Sequence, residues 1–423
     1  MTPLRGLAAL GAAGLALGLT ACGGDSAGSG RPAHRPISVV YVVGDPRGPW
    51  AGRTEGLADG VKIAIAERDG LVGERAASIV VVPVVQRDGP QVSAAVGAGR
   101  ILRDSRALAA IGTWTSPQLT QVAAQLNGGE VTLLQYGSGT NGLLSTGLPG
   151  EPSVYQPSGK SLALRGVPGD AQVAAAIRGL PGLRGADVVV SESTFAARNR
   201  ASREEAAKAA EAEIATLRGK KPPTPEDELP DPAGQTIRSL YNEQSSDGTR
   251  LAEQVRKAVG GAIRPVGVAR RGTTVAVIDS EQPDAAAEAR SLARRTTGTL
   301  VLVDAADRAI PAGAVAGHRG TVYRVRRTLD DPATAAARRI RAKERELFGR
   351  DRGESVVAGY RAARRILELA ASQPAKTIER MPYASGLVAD APDDPDLPVK
   401  AGQVSSGRVV VERLSGGRWT SAR

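Results

Sequence analysis

The sequence predicts an α/β fold with two lobes, each a doubly wound parallel sheet. Short apolar segments rich in Val and Ile alternate with longer segments that have helical periodicity. The Gly-, Ser- and Pro-rich segment 137–160 interrupts this alternation once, so the chain divides into two successive halves. Alternation of buried strands with amphipathic helices is typical of βαβ units and therefore of a parallel sheet.

The first half reads as four strands with helices between them. The first strand ends at Gly44-Asp45-Pro46, a turn sequence, and Thr54 can cap the helix that follows. Pro117 is suited to the first turn of the third helix. The predicted strands are Ile37–Val43, Ser78–Val85, Ala107–Ile111 and Val131–Gln135, and the predicted helices are Thr54–Arg68, Pro90–Asp104 and Pro117–Leu126.

The second half repeats the pattern and then ends in two long helices and a hairpin. The segment 219–234 is rich in Pro and acidic residues and is interpreted as a surface insertion. The predicted strands are Ser161–Leu164, Ala186–Ser191, Thr274–Ile278, Leu300–Val303 and Thr321–Val325, with a hairpin at Val409–Leu414 and Arg418–Thr420. The predicted helices are Gly169–Leu180, Ala196–Leu217, Leu251–Val259, Ala285–Arg295, Ala333–Phe348 and Ser355–Ala371.

The N-terminus has the layout of a secretory signal peptide, which we assign to residues 1–21. Arg5 precedes an apolar run, Leu7–Leu19, of 13 residues, whereas a membrane-spanning helix needs roughly 20. The run leads into Leu19-Thr20-Ala21-Cys22, which resembles the bacterial lipobox. That resemblance implies lipidation of Cys22 and anchoring to the outer face of the cell membrane, with residues 22–36 as a flexible tether. The alternative is an ordinary signal peptide with an incidental cysteine.

Composition excludes several classes of function. Cys22 is the only cysteine, and the two histidines are His34 and His318, so neither a disulfide nor a metal site is expected. The net charge is +11, but the basic residues are scattered among acidic ones and aromatics are few, which argues against nucleic-acid binding. No nucleophile elbow or phosphate loop occurs, and we expect no catalytic residues and no cofactor.

From Ile37 to the late helix, the order and spacing of several motifs are similar to the type I periplasmic binding proteins, in the branch that binds leucine, isoleucine and valine. No single motif is specific, but together they cover most of the chain. They are Gly48-Pro49, Gly60 within its helix, Ala110-Ile111-Gly112, Gly137-Ser138-Gly139-Thr140, Leu164-Arg165 followed by Gly169-Asp170, and Gly359-Tyr360.

The resemblance implies a clamshell of two lobes that are joined by hinge crossovers. The first lobe would comprise 37–166 and 328–383, and the second 167–327 and 384–423. Such proteins bind an amino acid or a similar small polar ligand between the lobes and deliver it to a membrane ABC permease. We expect a monomer with no catalytic step.

The resemblance also implies a set of ligand-binding residues. Ser116, Ser138 and Thr140 would face the ligand carboxylate, which suits backbone N–H groups and hydroxyls. Thr115 and Gly139, in the same two loops, would also contact the ligand. Asp170 would face the ammonium group, and Asp304 or Asp307 would supply a second acid.

Four aromatic and basic positions depart from the family pattern or have two interpretations. Phe195 falls near the ligand-packing Tyr of the family but lacks a hydroxyl, and it could equally be core. Trp114 and Trp50 could line a pocket or pack in the core, and Arg53 takes the place of an aromatic residue. The hydroxyl residues could be loop caps, and Asp170 could be a helix N-terminal residue favoured by the dipole.

These departures leave a second class of function open. A clamshell that has lost its small-ligand pocket could act as a sensor or a protein-interaction module on the cell surface. The two alternatives differ in whether Asp170 faces Ser138 and Thr140 across a polar cleft.

Overall fold

Two sheets, built from successive stretches of the chain, organise the protein. In a computed structural model the described residues are 35–44, 50–84, 90–140, 143, 161–191, 194–195, 247–268, 272–278, 285–304, 310–331, 333–373, 378–395 and 397–422. Pro36–Arg423 forms one unit by its internal contacts. The described helices are α1 Ala51–Ala66, α2 Pro90–Arg103, α3 Ser116–Gly128, α4 Asp170–Arg178, α5 Asp247–Val259, α6 Ala285–Arg295, α7 Ala335–Phe348, α8 Glu354–Ala371 and α9 Arg380–Val388.

The first sheet has the order β12-β13-β6-β5-β4-β1-β3-β2 and is parallel through its centre, from β6 to β3. Val40 and Val42 of β1 pack with α1 and α8, whereas Val39 and Tyr41 pack with α2 and α3 on the other face. The period of two along a strand produces this division. The strands are β1 Ile37–Gly44, β2 Leu71–Val72, β3 Arg75–Pro83, β4 Ala107–Gly112, β5 Thr132–Gln135, β6 Ala163–Arg165, β12 Val399–Lys400 and β13 Gln403–Val404.

The second sheet has the order β15-β14-β11-β10-β9-β7-β8 and is parallel from β11 to β8. Val188 and Val190 of β7 pack with α4 and α5, and Val189 packs with α6 on the opposite face. The predicted doubly wound α/β fold class is therefore confirmed. The strands are β7 Asp187–Val190, β8 Ile263–Pro265, β9 Thr274–Ile278, β10 Leu300–Asp304, β11 Val322–Arg327, β14 Val409–Ser415 and β15 Arg418–Ser421.

Three connections cross between the sheets and lie close together, and two of them are hydrogen-bonded to each other. They are the segments 166–169, 328–334 and 405–408. The Thr328 N–H donates to the carbonyl of Arg408 at 2.8 Å, and the Ser406 hydroxyl donates to the carbonyl of Leu329 at 3.1 Å. At Gly407 an added Cβ would lie 2.5 Å from the carbonyl oxygen of Thr328, so the crossovers approach too closely for a side chain there.

The strand pairing corrects one predicted lobe boundary. Residues 384–423 were expected in the second lobe, yet β12 and β13 belong to the first sheet. Gln403 pairs with Arg165 in parallel, and its amide also donates to the carbonyls of Arg165 and Val167 at 2.8 and 3.2 Å. These two strands are too short for a sequence pattern to reveal them, and the chain returns to the second sheet only at β14.

Several predicted features lie outside the described residues: the signal peptide 1–21, the lipidation site Cys22, the tether up to residue 34, the helix Ala196–Leu217 and the insertion 219–234. Within the described part of the chain, no helix combines the length and the apolar character needed to cross a membrane.

Candidate functional site

The loop after β4 uses its polar groups to fix its own shape. The Trp114 N–H donates to Gln135 Oε1 at 3.1 Å, and Gln135 Nε2 donates back to the Trp114 carbonyl at 2.6 Å. Thr115 caps α3, because its hydroxyl accepts from the Gln118 N–H at 3.4 Å while Gln118 Oε1 accepts from the Thr115 N–H at 2.9 Å. This reciprocal arrangement is a capping box. The backbone N–H groups of Trp114 and Thr115 therefore donate within the loop, and the Thr115 hydroxyl accepts there.

Trp114 lies in the core of the first sheet. Its side chain is 1% exposed and packs in the apolar cluster that also contains Leu119 and Leu133. An added Cβ at Gly112 would lie 2.3 Å from the indole ring, so the ring rests on the end of β4. Of the two interpretations of Trp114, its contacts match core packing. Trp50, at 4% exposed, is likewise buried, and its carbonyl accepts from the Thr54 N–H.

The loop after β5 is buried and lies against the first crossover. Ser138 and Thr140 are 1% and 0% exposed, and the Thr140 N–H donates to the Ser138 hydroxyl at 3.2 Å. The Gly139 carbonyl accepts from the Asp170 N–H at 2.9 Å, at the start of α4. The structure thus brings together two parts of the predicted site, residues 138–140 and Asp170.

Asp170 forms a buried ion pair with Arg327, which the sequence analysis did not single out. Arg327 Nη2 donates to Asp170 Oδ1, and the two side chains are 4% and 8% exposed, with Arg327 the less exposed. An added Cβ at Gly139 would lie 2.8 Å from the Arg327 guanidinium carbon and 2.9 Å from Asp170 Oδ1, so the pair lies directly on the Gly139 backbone. Arg327 is the last residue of β11. The carboxyl end of a second-sheet strand therefore meets the loop at the carboxyl end of a first-sheet strand.

Arg165 is a second buried guanidinium beside this pair. It is 7% exposed, donates from Nη1 to the Thr140 carbonyl at 2.9 Å and from Nε to Gln403 Oε1 at 2.7 Å. Burial lowers the pKa of Arg165 to about 10, while the charge of Asp170 raises it and that of Arg327 lowers it again. These opposing influences place the three charged groups within electrostatic reach of one another.

A further group of charges lies at the start of α1 and α8. Arg53 Nη1 donates to the carbonyl of Tyr136, directly after β5. Burial raises the pKa of Glu354, and the nearby charges of Arg53 and Arg326 partly oppose that effect. The sequence placed Arg53 where the resembling family has an aromatic residue, and the structure gives it a contact to the loop that leads to Gly139.

The remaining predicted residues are not joined to this cluster by any described contact. Phe195 is half-buried and packs against the second-sheet core that contains α4 and α5. Asp304 ends β10 in register with Ile278, and Ser116 begins α3, but the side chains of both lie outside the described part of the structure. Asp307 also lies outside the described residues, and no group of three or more His, Cys, Asp and Glu side chains in the described part could hold a metal ion.

Arg327 was missed because the predicted strand ended at Val325. The sequence Tyr323-Arg324-Val325-Arg326-Arg327 carried a signal, since residues two apart point to the same face of a strand. Val325 is fully buried. Extending the strand by two residues would have placed Arg327 on the same inward face, where an arginine needs an acidic partner.

Comparison with known proteins identifies the fold. An ABC transporter substrate-binding protein from Desulfitobacterium hafniense, solved with leucine, is 14% identical with a TM-score of 0.53, covering 92% of this chain and 99% of that one. A leucine-binding protein from Thermotoga maritima is also 14% identical, with a TM-score of 0.53 and coverages of 92% and 98%. A solute-binding protein of an ABC transporter from Rhodopseudomonas palustris HaA2, in complex with p-hydroxybenzoic acid, is 13% identical, with a TM-score of 0.55 and coverages of 91% and 95%.

Neither a model of a known protein family nor the sequence of a curated protein matches the chain. The likeness to solved structures, at 14% identity or below, concerns the fold alone. Because the likeness covers almost the whole of each chain, this chain has the fold of the type I periplasmic binding proteins.

Proposed function

We propose that this protein is an extracytoplasmic solute-binding protein of an ABC-type importer that binds a small polar ligand between two lobes. The observation that carries the proposal is the meeting of the two sheets at their carboxyl ends, where Arg327 of β11 contacts Gly139 after β5. In open α/β sheets, ligands bind outside the carboxyl ends of the strands. Charged side chains buried at such an edge are typical of a ligand site.

The lobes follow the two sheets, with the crossovers at 166–169, 328–334 and 405–408 as the hinge. Ligand contacts to both lobes would favour the closed form of the protein over the open one, in proportion to the difference in affinity. The mechanism therefore needs binding and closure but no chemical step, and we propose a binding protein rather than an enzyme. Delivery of the ligand would require a membrane permease as the partner.

The N-terminal sequence supports a location outside the cytoplasm. Leu19-Thr20-Ala21-Cys22 follows an apolar run of signal-peptide length. Lipidation of Cys22 would hold the protein at the outer face of the membrane, near its permease. Replacement of Cys22 by Ser is expected to move the protein from the membrane fraction to the soluble extracytoplasmic fraction, as immunoblotting of the two fractions would show. A protein that stays in the membrane fraction would contradict the lipid anchor.

Two of the proteins of the same fold described above were solved with a ligand, one with leucine and one with p-hydroxybenzoic acid. Both molecules are small and carry a carboxyl group. Ser138, Gly139 and Thr140 supply a polar loop beside Arg165 and Arg327, and guanidinium groups suit carboxylates by charge and by geometry. These residues, with Asp170, are the ones we propose at the ligand.

A sensor or protein-interaction module is the second candidate. The observation that favours it is the internal use of the backbone N–H groups of Trp114 and Thr115, which lie in the loop that leads to Ser116, a residue that the family resemblance places at the ligand carboxylate. A clamshell of this kind would present one lobe arrangement to a partner protein instead of releasing a solute.

Thermal unfolding in the presence of small metabolites tests the proposal. Binding to the native state adds about 2.7 kcal/mol at a hundredfold excess over Kd, so a true ligand raises the melting temperature measurably. The screen should include amino acids, aliphatic acids, aromatic acids and sugars, with the intrinsic fluorescence of the three tryptophans as the readout. A folded protein whose melting temperature moves with none of these classes would contradict the solute-binding proposal and favour the interaction module.

A further inference from the structure

Asp170 is an acidic side chain that lies against the proposed ligand loop, and it is paired with Arg327. The Asp170 carboxylate is buried, already accepts a charged hydrogen bond from Arg327, and lies on the Gly139 backbone beside the loop of Ser138 and Thr140. The guanidinium of Arg327 is a covalently tethered cation at that carboxylate. A free ammonium group from solution would have to compete with it.

From this arrangement we infer that the ligand is a small organic acid without an amino group, and that Arg327 is the residue that sets this specificity. The inference rests on the proposed solute-binding function and names the substrate class of the same site.

Charge at the site argues against a ligand ammonium. Besides Asp170, the described ionisable side chains in this part of the cluster are the guanidinium groups of Arg327 and Arg165. An ammonium group brought to Asp170 would come within a few ångströms of Arg327, and like charges repel most strongly where water is excluded. A carboxylate approaching the same place meets two cations and one anion and is attracted.

The close packing at the site also argues against a ligand ammonium group. A single added carbon on Gly139 would contact the Arg327 guanidinium at 2.8 Å and Asp170 Oδ1 at 2.9 Å. The pair and the Gly139 backbone are thus in direct contact, so an ammonium group could reach Asp170 between them only after Arg327 had moved away. Breaking a buried ion pair costs free energy, because each charge then lies out of water and has lost its oppositely charged partner. A ligand that leaves the pair intact avoids that cost.

Calorimetric titration of the full-length protein with matched pairs of compounds tests the inference. Each pair differs by one amino group: 4-methylpentanoate and leucine, 3-phenylpropanoate and phenylalanine, glutarate and glutamate. We expect the acid without the amino group to bind at least tenfold more tightly than its partner in the pair that binds best. A ligand amino acid that binds as tightly as its des-amino analogue, or more tightly, overturns the inference and leaves the solute-binding proposal standing. Failure of every compound to bind a folded protein overturns both.

The variant Arg327→Gln tests whether Arg327 determines the ligand specificity of the site. It removes the tethered cation and keeps a polar side chain, so the preference for the des-amino acid should fall at least tenfold, with Asp170 now open to an ammonium group. Arg408→Gln is the matched control, since Arg408 lies on a neighbouring crossover in an exposed pair with Asp331 at 3.3 Å. The control should keep the wild-type preference. An unchanged preference in a folded Arg327→Gln protein overturns the role of Arg327, and the wild-type titrations decide the ligand class if that variant does not fold.

Discussion

Arg327 and Asp170 form a buried ion pair. The stability of the protein should therefore depend on both side chains. Removing one partner of a buried pair costs about 3–5 kcal/mol, because the remaining charge stays out of water. Arg327→Met is expected to lower the free energy of unfolding by about 3 kcal/mol, the lower end of that range, since Arg165 remains near Asp170. Urea unfolding at neutral pH measures this.

Arg408→Met provides the comparison for that measurement. Its side chain is 60% exposed and pairs with Asp331, which is 38% exposed. Exposed pairs are worth about 0–1 kcal/mol, so this variant should unfold close to the wild type. Equal losses of unfolding free energy in the two variants would show that the buried Asp170–Arg327 pair stabilises the protein no more than an exposed pair does.

Asp104 gives the protein a defined sensitivity to acid. Hydrogen bonds from Arg106 and Tyr41 lower the pKa of Asp104 from 3.8 to about 2. Because the folded pKa lies below the unfolded one, the stabilisation is present above pH 3.8 and is lost as the pH falls towards 2. Asp104→Asn should therefore be less stable than the wild type at pH 7, and the difference should shrink between pH 4 and pH 2. Urea unfolding across this pH range tests it; a difference that is constant with pH would refute the assignment.

The sequence predicted only some of the contacts between individual residues of the candidate site. The resemblance to a known family, rather than a local pattern, placed Asp170 opposite Ser138 and Thr140. It did not reveal Arg327, which is separated from Asp170 by 157 positions. A pair that far apart in sequence depends on the packing of α4 against β11 within the second-sheet core, and no local pattern encodes it. The core position of Trp114 was also undecided, since a Trp after a strand fits a pocket wall and a core equally well.

Helices α1 and α8 pack through their backbones, which makes two glycines necessary. An added Cβ at Gly60 would lie 2.2 Å from the carbonyl oxygen of Val356, and one at Gly359 would lie 2.3 Å from that of Leu57. Both glycines were among the features that resemble the family, and the close approach of the helices gives a physical reason for them. Backbone atoms cannot move aside as a side-chain tip can.

Gly60→Ala should therefore destabilise the protein although Ala favours helix formation. Overpacking costs about 1–3 kcal/mol, and the gain in helix propensity is about 1 kcal/mol, so we expect a net loss of about 1 kcal/mol and at most about 2 kcal/mol. Gly52→Ala in the same helix is the control, because its added Cβ would meet only Arg352 Nη1, at 3.7 Å. The control should be neutral or slightly more stable in urea unfolding. A Gly60→Ala protein as stable as Gly52→Ala would contradict the backbone packing.

The helices and longer strands were largely predictable, whereas the short strands were not. Periodicity over ten or more residues identified α2, α6 and α8 to within a few positions. The strands β8, β12 and β13 have three residues or fewer, and tertiary pairing alone defines them. Helix α1 begins at Ala51 and not at Thr54, because the Thr54 hydroxyl bonds Thr113 at 2.6 Å instead of capping the helix.

For the whole molecule, the sequence predicted two α/β halves because each half is built from local strand–helix units. The sequence did not predict the contacts between segments that are distant in the chain. The three crossovers, the return of β12 and β13 to the first sheet and the Asp170–Arg327 pair all depend on contacts between distant segments. These are also the features that would govern opening, closing and ligand choice.

Small-angle X-ray scattering of Pro36–Arg423, with and without a saturating ligand from the unfolding screen, tests the central claim most directly. We expect a smaller radius of gyration with the ligand, because the lobes close around it by rotation at the three crossovers. We expect no change with a compound that leaves the melting temperature unaltered. A radius of gyration that stays the same at full occupancy of the ligand would contradict closure of the two lobes on a bound solute.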